Sequence, residues 1–209
     1  MSAESKLVVS LIVGKRTYDH TLALVQDAKD RLRKDHLPAI FSDAFASYES
    51  ALLEVFGRRY PAKGKSRLPV IRWRQGLAYG QVKKVYKRGR VGRVEVRAVY
   101  GKAKLAHTLY LLGYKQINTS AVERHNGTSR LRNQRQTRKT LAFSKALRYH
   151  RWMSWLSVGL YNFCRAHGSL RIKEAERVIQ RSPAMAEGLS DHIWTIREWL
   201  LTPALGGQR

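Results

Sequence analysis

The sequence predicts an α/β fold, and three observations carry that reading. Two short apolar runs, the β-branched one at residues 6–14 and another at 37–43, read as buried strands. Each is followed by a stretch whose apolar residues fall at helical spacing. Residues 68–101 then read as strand again, punctuated by glycine. Strands that alternate with helices imply a sheet with helices packed on it. The chain has 209 residues, 44% of them hydrophobic, with five Trp, ten Tyr and five Phe. That is enough for a real core.

In order, residues 6–14 (KLVVSLIVG) read as a buried strand. Thr17 is placed to cap a helix over residues 19–34, with Leu22, Val25, Ala28 and Leu32 at helical spacing. Residues 37–43 (LPAIFSD) read as a second short buried strand that ends in the carboxylate of Asp43. A helix over 48–56 follows, closed by Gly57. Residues 58–67 form a basic loop. Residues 68–101 read as a hairpin of basic strands turning at Gly89 and Gly92, with Val91, Val94, Val96 and Val99 packed on one side or flanking the turn. Lys83, Lys84, Lys87, Arg88, Arg90 and Arg93 crowd its tip. A helix starts near Thr119, with a short basic interruption expected near Gly127. A longer helix over 143–166 holds Trp152 and Trp155, whose spacing assigns them to the core rather than to base stacking. Ser182-Pro183 opens a last segment, helical over 194–201.

Charge narrows the function. The net charge is +25, and it is not spread evenly. Residues 1–57 carry 7 basic and 8 acidic side chains, residues 58–173 carry 29 and 2, and residues 174–209 carry 4 and 5. A central block that repels itself this strongly is matched to a polyanion, whose binding releases condensed counterions. Nucleic acid is the expected partner. No apolar run approaches the ~20 residues of a membrane helix, and residues 1–6 do not begin a secretory leader. A cytoplasmic location is expected, with no membrane partner and no small-molecule cofactor. The single Cys164 excludes a disulfide framework and a cysteine-based zinc site, and reads as a buried, inert thiol. There is no GxxxxGK[ST], GxGxxG, HExxH or GxSxG.

Two carboxylates stand out. Glu123 is the only carboxylate between Glu95 and Glu174 and is followed by Arg124, Arg130, Arg132, Arg135, Arg138 and Lys139. A lone carboxylate on a phosphate-seeking surface is tolerable when it holds a divalent cation. Ser120-Ala121-Val122-Glu123 also fits a capping box. Asp43 ends a strand at the edge where open α/β sheets place active groups, or else caps the turn that follows. On the residues alone these alternatives stay open.

Longer stretches carry a resemblance. Ile117-Asn118-Thr119-Ser120-Ala121-Val122-Glu123-Arg124-His125-Asn126-Gly127 resembles the third-carboxylate helix of DDE-type transposases of bacterial insertion sequences. Residues 138–145 (RKTLAFSK), 161–171 (YNFCRAHGSLR) and 182–186 (SPAMA) are similar to that family, and residues 41–48 (FSDAFASY) resemble its second-carboxylate strand. The matches keep the family's order over nearly the whole chain.

The resemblance implies a ribonuclease-H-like mixed sheet flanked by helices, with the basic hairpin as an insertion at about 58–105. It implies a core over residues 1–175 and a helical extension over 176–209. It implies that Asp43 and Glu123 are catalytic carboxylates that share two Mg²⁺ or Mn²⁺ ions with a third, for cleavage and joining of DNA at transposon ends and target. The family's first carboxylate would fall at Ser2 or earlier, so the first core strand is expected to be missing and the chain shortened. The strand over residues 7–13 would then lack a neighbour and promote self-association. A non-catalytic DNA-binding remnant is the alternative, and a basic RNA-binding protein a third reading.

Overall fold

The computed structural model describes residues 1–34, 36–61, 69–137, 139–174 and 176–202. The protein is mixed α/β and forms two compact units, Gly14–Ser120 and Met1–Val13 with Ala121–Arg209. No helix among the described residues is long and apolar enough to cross a membrane.

In the first unit, Thr17 caps helix α1 (Tyr18–Asp30) by accepting the His20 N–H, as its sequence position predicts. Strand β1 (Ala39–Asp43) and helix α2 (Ala46–Phe56) follow. The long strands β4 (Ala78–Lys87) and β5 (Arg90–Tyr100) come next, after a small pair, β2 (Arg58–Tyr60) and β3 (Val70–Arg72). The sheet has the order β1-β4-β5, with β1 parallel to β4 and β4 antiparallel to β5. Period-two alternation gives each strand to two cores. Leu77, Tyr79, Ile40 and Val99 pack on one side with Val25, Leu52, Val55 and Phe56 of α1 and α2. Ala78, Val82, Phe41 and Ala98 pack on the other with Leu105 of helix α3 (Lys102–Leu111) and Ile117. Gly80 lies under Ile117, whose Cδ1 would stand 2.5 Å from any Cβ there.

Several expectations change here. The two long strands are not an appendage, because β4 is the middle strand of the sheet. The expected loop over 58–67 begins as strand β2, and residues 62–68 lie outside the described residues. Val91, Val94 and Val96 are exposed rather than packed, and only Val99 joins the core.

The second unit is helical. Helix α4 (Ser120–Arg132) passes Gly127 without the expected interruption. Helix α5 (Leu147–Phe163) is shorter than the 143–166 expected. A small hairpin, β6 (Ile172–Glu174) and β7 (Arg177–Ile179), precedes α6 (Pro183–Ala186) and α7 (Ile196–Leu201). Ser182 caps α6 with Pro183 at its first position, and Thr195 with Glu198 forms a capping box on α7. Gly159 lets α7 approach α5: a Cβ there would meet Trp199 Cζ2 at 2.1 Å. The buried face of α5 is Ser154, Val158, Tyr161 and Asn162. Trp152 and Trp155 are 61% and 40% exposed, so the core assignment of these two is corrected.

Residues 7–13 form no strand ladder among the described residues, against expectation. Their backbone is met by a side chain instead. The Asn162 amide accepts the Val8 N–H at 3.0 Å and donates to the Val8 carbonyl at 3.1 Å. One primary amide offers the donor and acceptor that a neighbouring strand would offer. That satisfies both backbone groups of Val8 in the half-buried segment without a strand partner.

Candidate nucleic-acid interface and carboxylates

The β4–β5 ribbon is the most cationic element of its unit. The β1–β4 pairing ends where Asp43 pairs with Val82, and β4 runs on with β5 as its only neighbour among the described residues. From Lys83 to Arg97 no residue is buried. The cross-strand pairs Lys83–Glu95, Val85–Arg93 and Lys87–Arg90 lie on one face; Val82–Val96 and Lys84–Val94 lie on the other. Glu95 is the ribbon's one carboxylate. It pairs with Arg93 and, at 4.0 Å, with Lys83. Lys87, Arg88 and Arg90 line an open concavity at the tip and form no ion pair among the described residues.

Helix α4 is the counterpart in the other unit. It buries none of its residues. Arg124, Arg130, Arg132, Arg135 and Lys139 are exposed along and beyond it. Arg138 lies outside the described residues. Buried Asn133 accepts the Arg135 N–H, while the Arg135 guanidinium donates to Ser144 Oγ at 3.0 Å. Burial and then the charge of Arg165 hold the Arg132 guanidinium below its ordinary value. Two guanidiniums close enough to disfavour each other's charge favour an anion between or beside them.

The carboxylates differ in what they touch. Asp43 ends β1 with its side chain about half exposed. Its Oδ1 accepts the Phe45 N–H at 3.2 Å, the turn-capping role, and its Oδ2 accepts from Arg16 at 2.6 Å. Arg16 also stacks on Phe45, 4.2 Å from the ring centre. Glu49, in the first turn of α2, was not singled out by sequence. Its charge and that of Asp43 both raise the Tyr79 hydroxyl, after burial, the largest cause. The signal that could have found it is an acidic residue opening the helix after the Asp43 strand.

Glu123 is exposed in the first turn of α4. Ser120 is the first helical residue rather than the cap. Its N–H and hydroxyl both donate to Asn118 Oδ1, at 3.2 and 2.6 Å. Asn118 thus accepts from the first residue of the helix; a Ser120–Glu123 capping box was one of the two readings open for Glu123. Among the described residues no three His, Cys, Asp or Glu side chains gather as a metal-holding group. One oxygen of Asp43 is thus held by an arginine and the other by a backbone amide.

Helix α4 itself carries His125. Its ring meets Tyr161 edge-on at 4.5 Å, and its Nδ1 is buried without a hydrogen-bond partner. Burial, then the terminal ammonium, Arg132 and His167, push its pKa down to about 4. Burial pushes Tyr161 up to about 12. His167 is held low by burial, Lys6 and Arg124, and its Nδ1 meets Ser169 Oγ at 2.9 Å. Cys164 is half-buried rather than buried, its Sγ 3.7 Å from the Thr195 carbonyl, and burial raises it.

His125 gives a pH dependence. Its folded value lies below its unfolded one, so between pH 6.5 and 4 the unfolded chain binds a proton that the folded chain refuses. Stability is full above pH 6.5 and is lost as pH falls toward 4. The whole difference corresponds to about 3 kcal/mol, and solvent screening at a half-buried ring reduces the expected loss to about 1–2 kcal/mol. Urea midpoints across this range should show that slope, and His125→Phe should remove it. An equal slope in both proteins would reject the assignment.

No family model, curated protein or solved structure matches the chain.

Proposed function

We propose that this protein binds DNA through the β4–β5 ribbon and through α4 with the arginines that follow it. The observation that carries this reading is the concentration of cations in residues 58–173, which hold 29 basic and 2 acidic side chains. A surface kept only for solubility mixes both signs. Condensed counterions released from the duplex supply the driving force.

The second reading is the one the resemblance implies, a DDE-type transposase core of ribonuclease-H-like fold that cleaves and joins DNA. What favours it is the exposure of Asp43 at a strand end and of Glu123 inside a carboxylate-poor, arginine-rich surface. Self-association is part of the proposal, since Tyr86, Val91, Trp152 and Phe143 are exposed. A cytoplasmic site of action is proposed with it.

Gel retardation and nicking of supercoiled DNA separate the readings. Retention without nicking in Mg²⁺ or Mn²⁺ is the result expected for a DNA-binding protein. Cation-dependent nicking that Glu123→Gln abolishes, with retention unchanged, would establish the transposase reading. Preference for RNA over duplex DNA at matched salt would overturn both.

A further inference from the structure

The tip of the β4–β5 ribbon is built against local preference. Lys87 pairs with Arg90, so Arg88 and Gly89 form a two-residue turn. Both have positive φ, 50° and 77°. Asn-Gly or Gly-Gly is the favoured choice for such a turn. An L-residue with a long side chain pays for the left-handed conformation. The chain accepts that strain at Arg88, which is exposed and makes no ion pair among the described residues. Strain kept where a polar Asn would relieve it points to a task for the side chain.

We propose that the distal ribbon enters the major groove of DNA and that Arg88 reaches base edges there. This inference rests on the DNA reading above and gives it a groove. The major groove, about 12 Å wide, admits a two-stranded ribbon, whereas the minor groove, about 6 Å wide, does not. Among the described residues the ribbon past Val82 is two-stranded and has no buried residue from Lys83 to Arg97, and it reaches about 17 Å, twice the groove's depth of about 8.5 Å. Lys83 and Arg93 on its basic face flank the approach to the phosphate walls, leaving Arg88 and Arg90 foremost. A guanidinium delivered to the groove floor finds the paired acceptors of guanine.

The test uses Arg88→Asn, which suits the turn better and therefore folds. Affinity is measured for three probes. The first is a mixed-sequence duplex, the second the same duplex with glucosylated 5-hydroxymethylcytosine filling its major groove, and the third the same duplex with netropsin in its minor groove. The wild-type protein should lose about tenfold or more on the filled major groove and little with netropsin. Arg88→Asn should melt a few degrees higher, bind the unmodified duplex at least about fivefold more weakly, and ignore the filling. Wild-type indifference to the filled major groove, or undiminished binding by Arg88→Asn, overturns the ribbon inference while leaving DNA binding in place. Failure of the wild-type protein to bind any duplex removes the DNA reading, and the ribbon inference with it.

Discussion

Gly101→Ala should cost about 3 kcal/mol or more and lower the melting temperature by about 10 °C or more. Gly101 precedes α3 at φ 69° and ψ 46°. A Cβ there would stand 2.4 Å from the Leu77 carbonyl oxygen and 2.9 Å from the Ala78 Cα. Both are backbone atoms at the start of the central strand, and Leu77 and Ala78 are at most 1% exposed. Neither can yield without moving β4 against β1 and β5. Gly113 is the control. It has φ 65° but nothing within 4 Å of its would-be Cβ. Gly113→Ala should therefore show the left-handed cost alone, about 1 kcal/mol. Thermal melts of the two variants read the difference. Equal losses would show that the approach to Leu77 and Ala78 is not tight in solution.

The legible elements are those set by neighbours in sequence. Thr17 before α1, Ser182-Pro183 before α6 and the short apolar run ending at Asp43 each signal within a few residues. Residues 7–13 signalled a buried, paired strand, and the segment is half-buried and forms no strand ladder among the described residues. Their β-branched composition says that the side chains avoid water. It cannot say that the backbone partner is Asn162, 154 residues away. Helix α5 misled for a related reason. Its buried stripe includes Ser154 and Asn162, so reading by hydrophobicity turns the helix the wrong way and hides Trp152. Helix α3 was not read at all, because Lys102, Lys104 and His107 break any apolar stripe. The candidate site divides likewise. The clustering of cations is a property of composition and was visible. The Arg16–Asp43 pair joins residues 27 apart across a helix and a loop, and no spacing rule reaches it.

The largest functional effect expected is of salt on DNA affinity. A protein that neutralises 6–10 phosphates loses about 10³–10⁵ in affinity between 50 and 200 mM salt. With the excess charge gathered in one block, this chain should fall in that range. Replacing Arg124, Arg130 and Arg135 together by Ala tests which cations are responsible. Arg124 and Arg130 form no ion pair among the described residues, and Arg135 gives up only an exposed bond to Ser144. The fold should survive, with far-ultraviolet circular dichroism unchanged. Three lost phosphate contacts make the log–log salt slope shallower by about 2.7, so over that fourfold salt range the variant's affinity falls about 40-fold less than the parent's. The change should be the same for every duplex sequence, because phosphates carry no sequence information. Arg88→Asn should behave in the opposite way, moving the slope by at most about 1 while removing the sensitivity to a filled major groove. An unchanged slope in the triple variant would take α4 out of the interface and leave the ribbon as its remaining element.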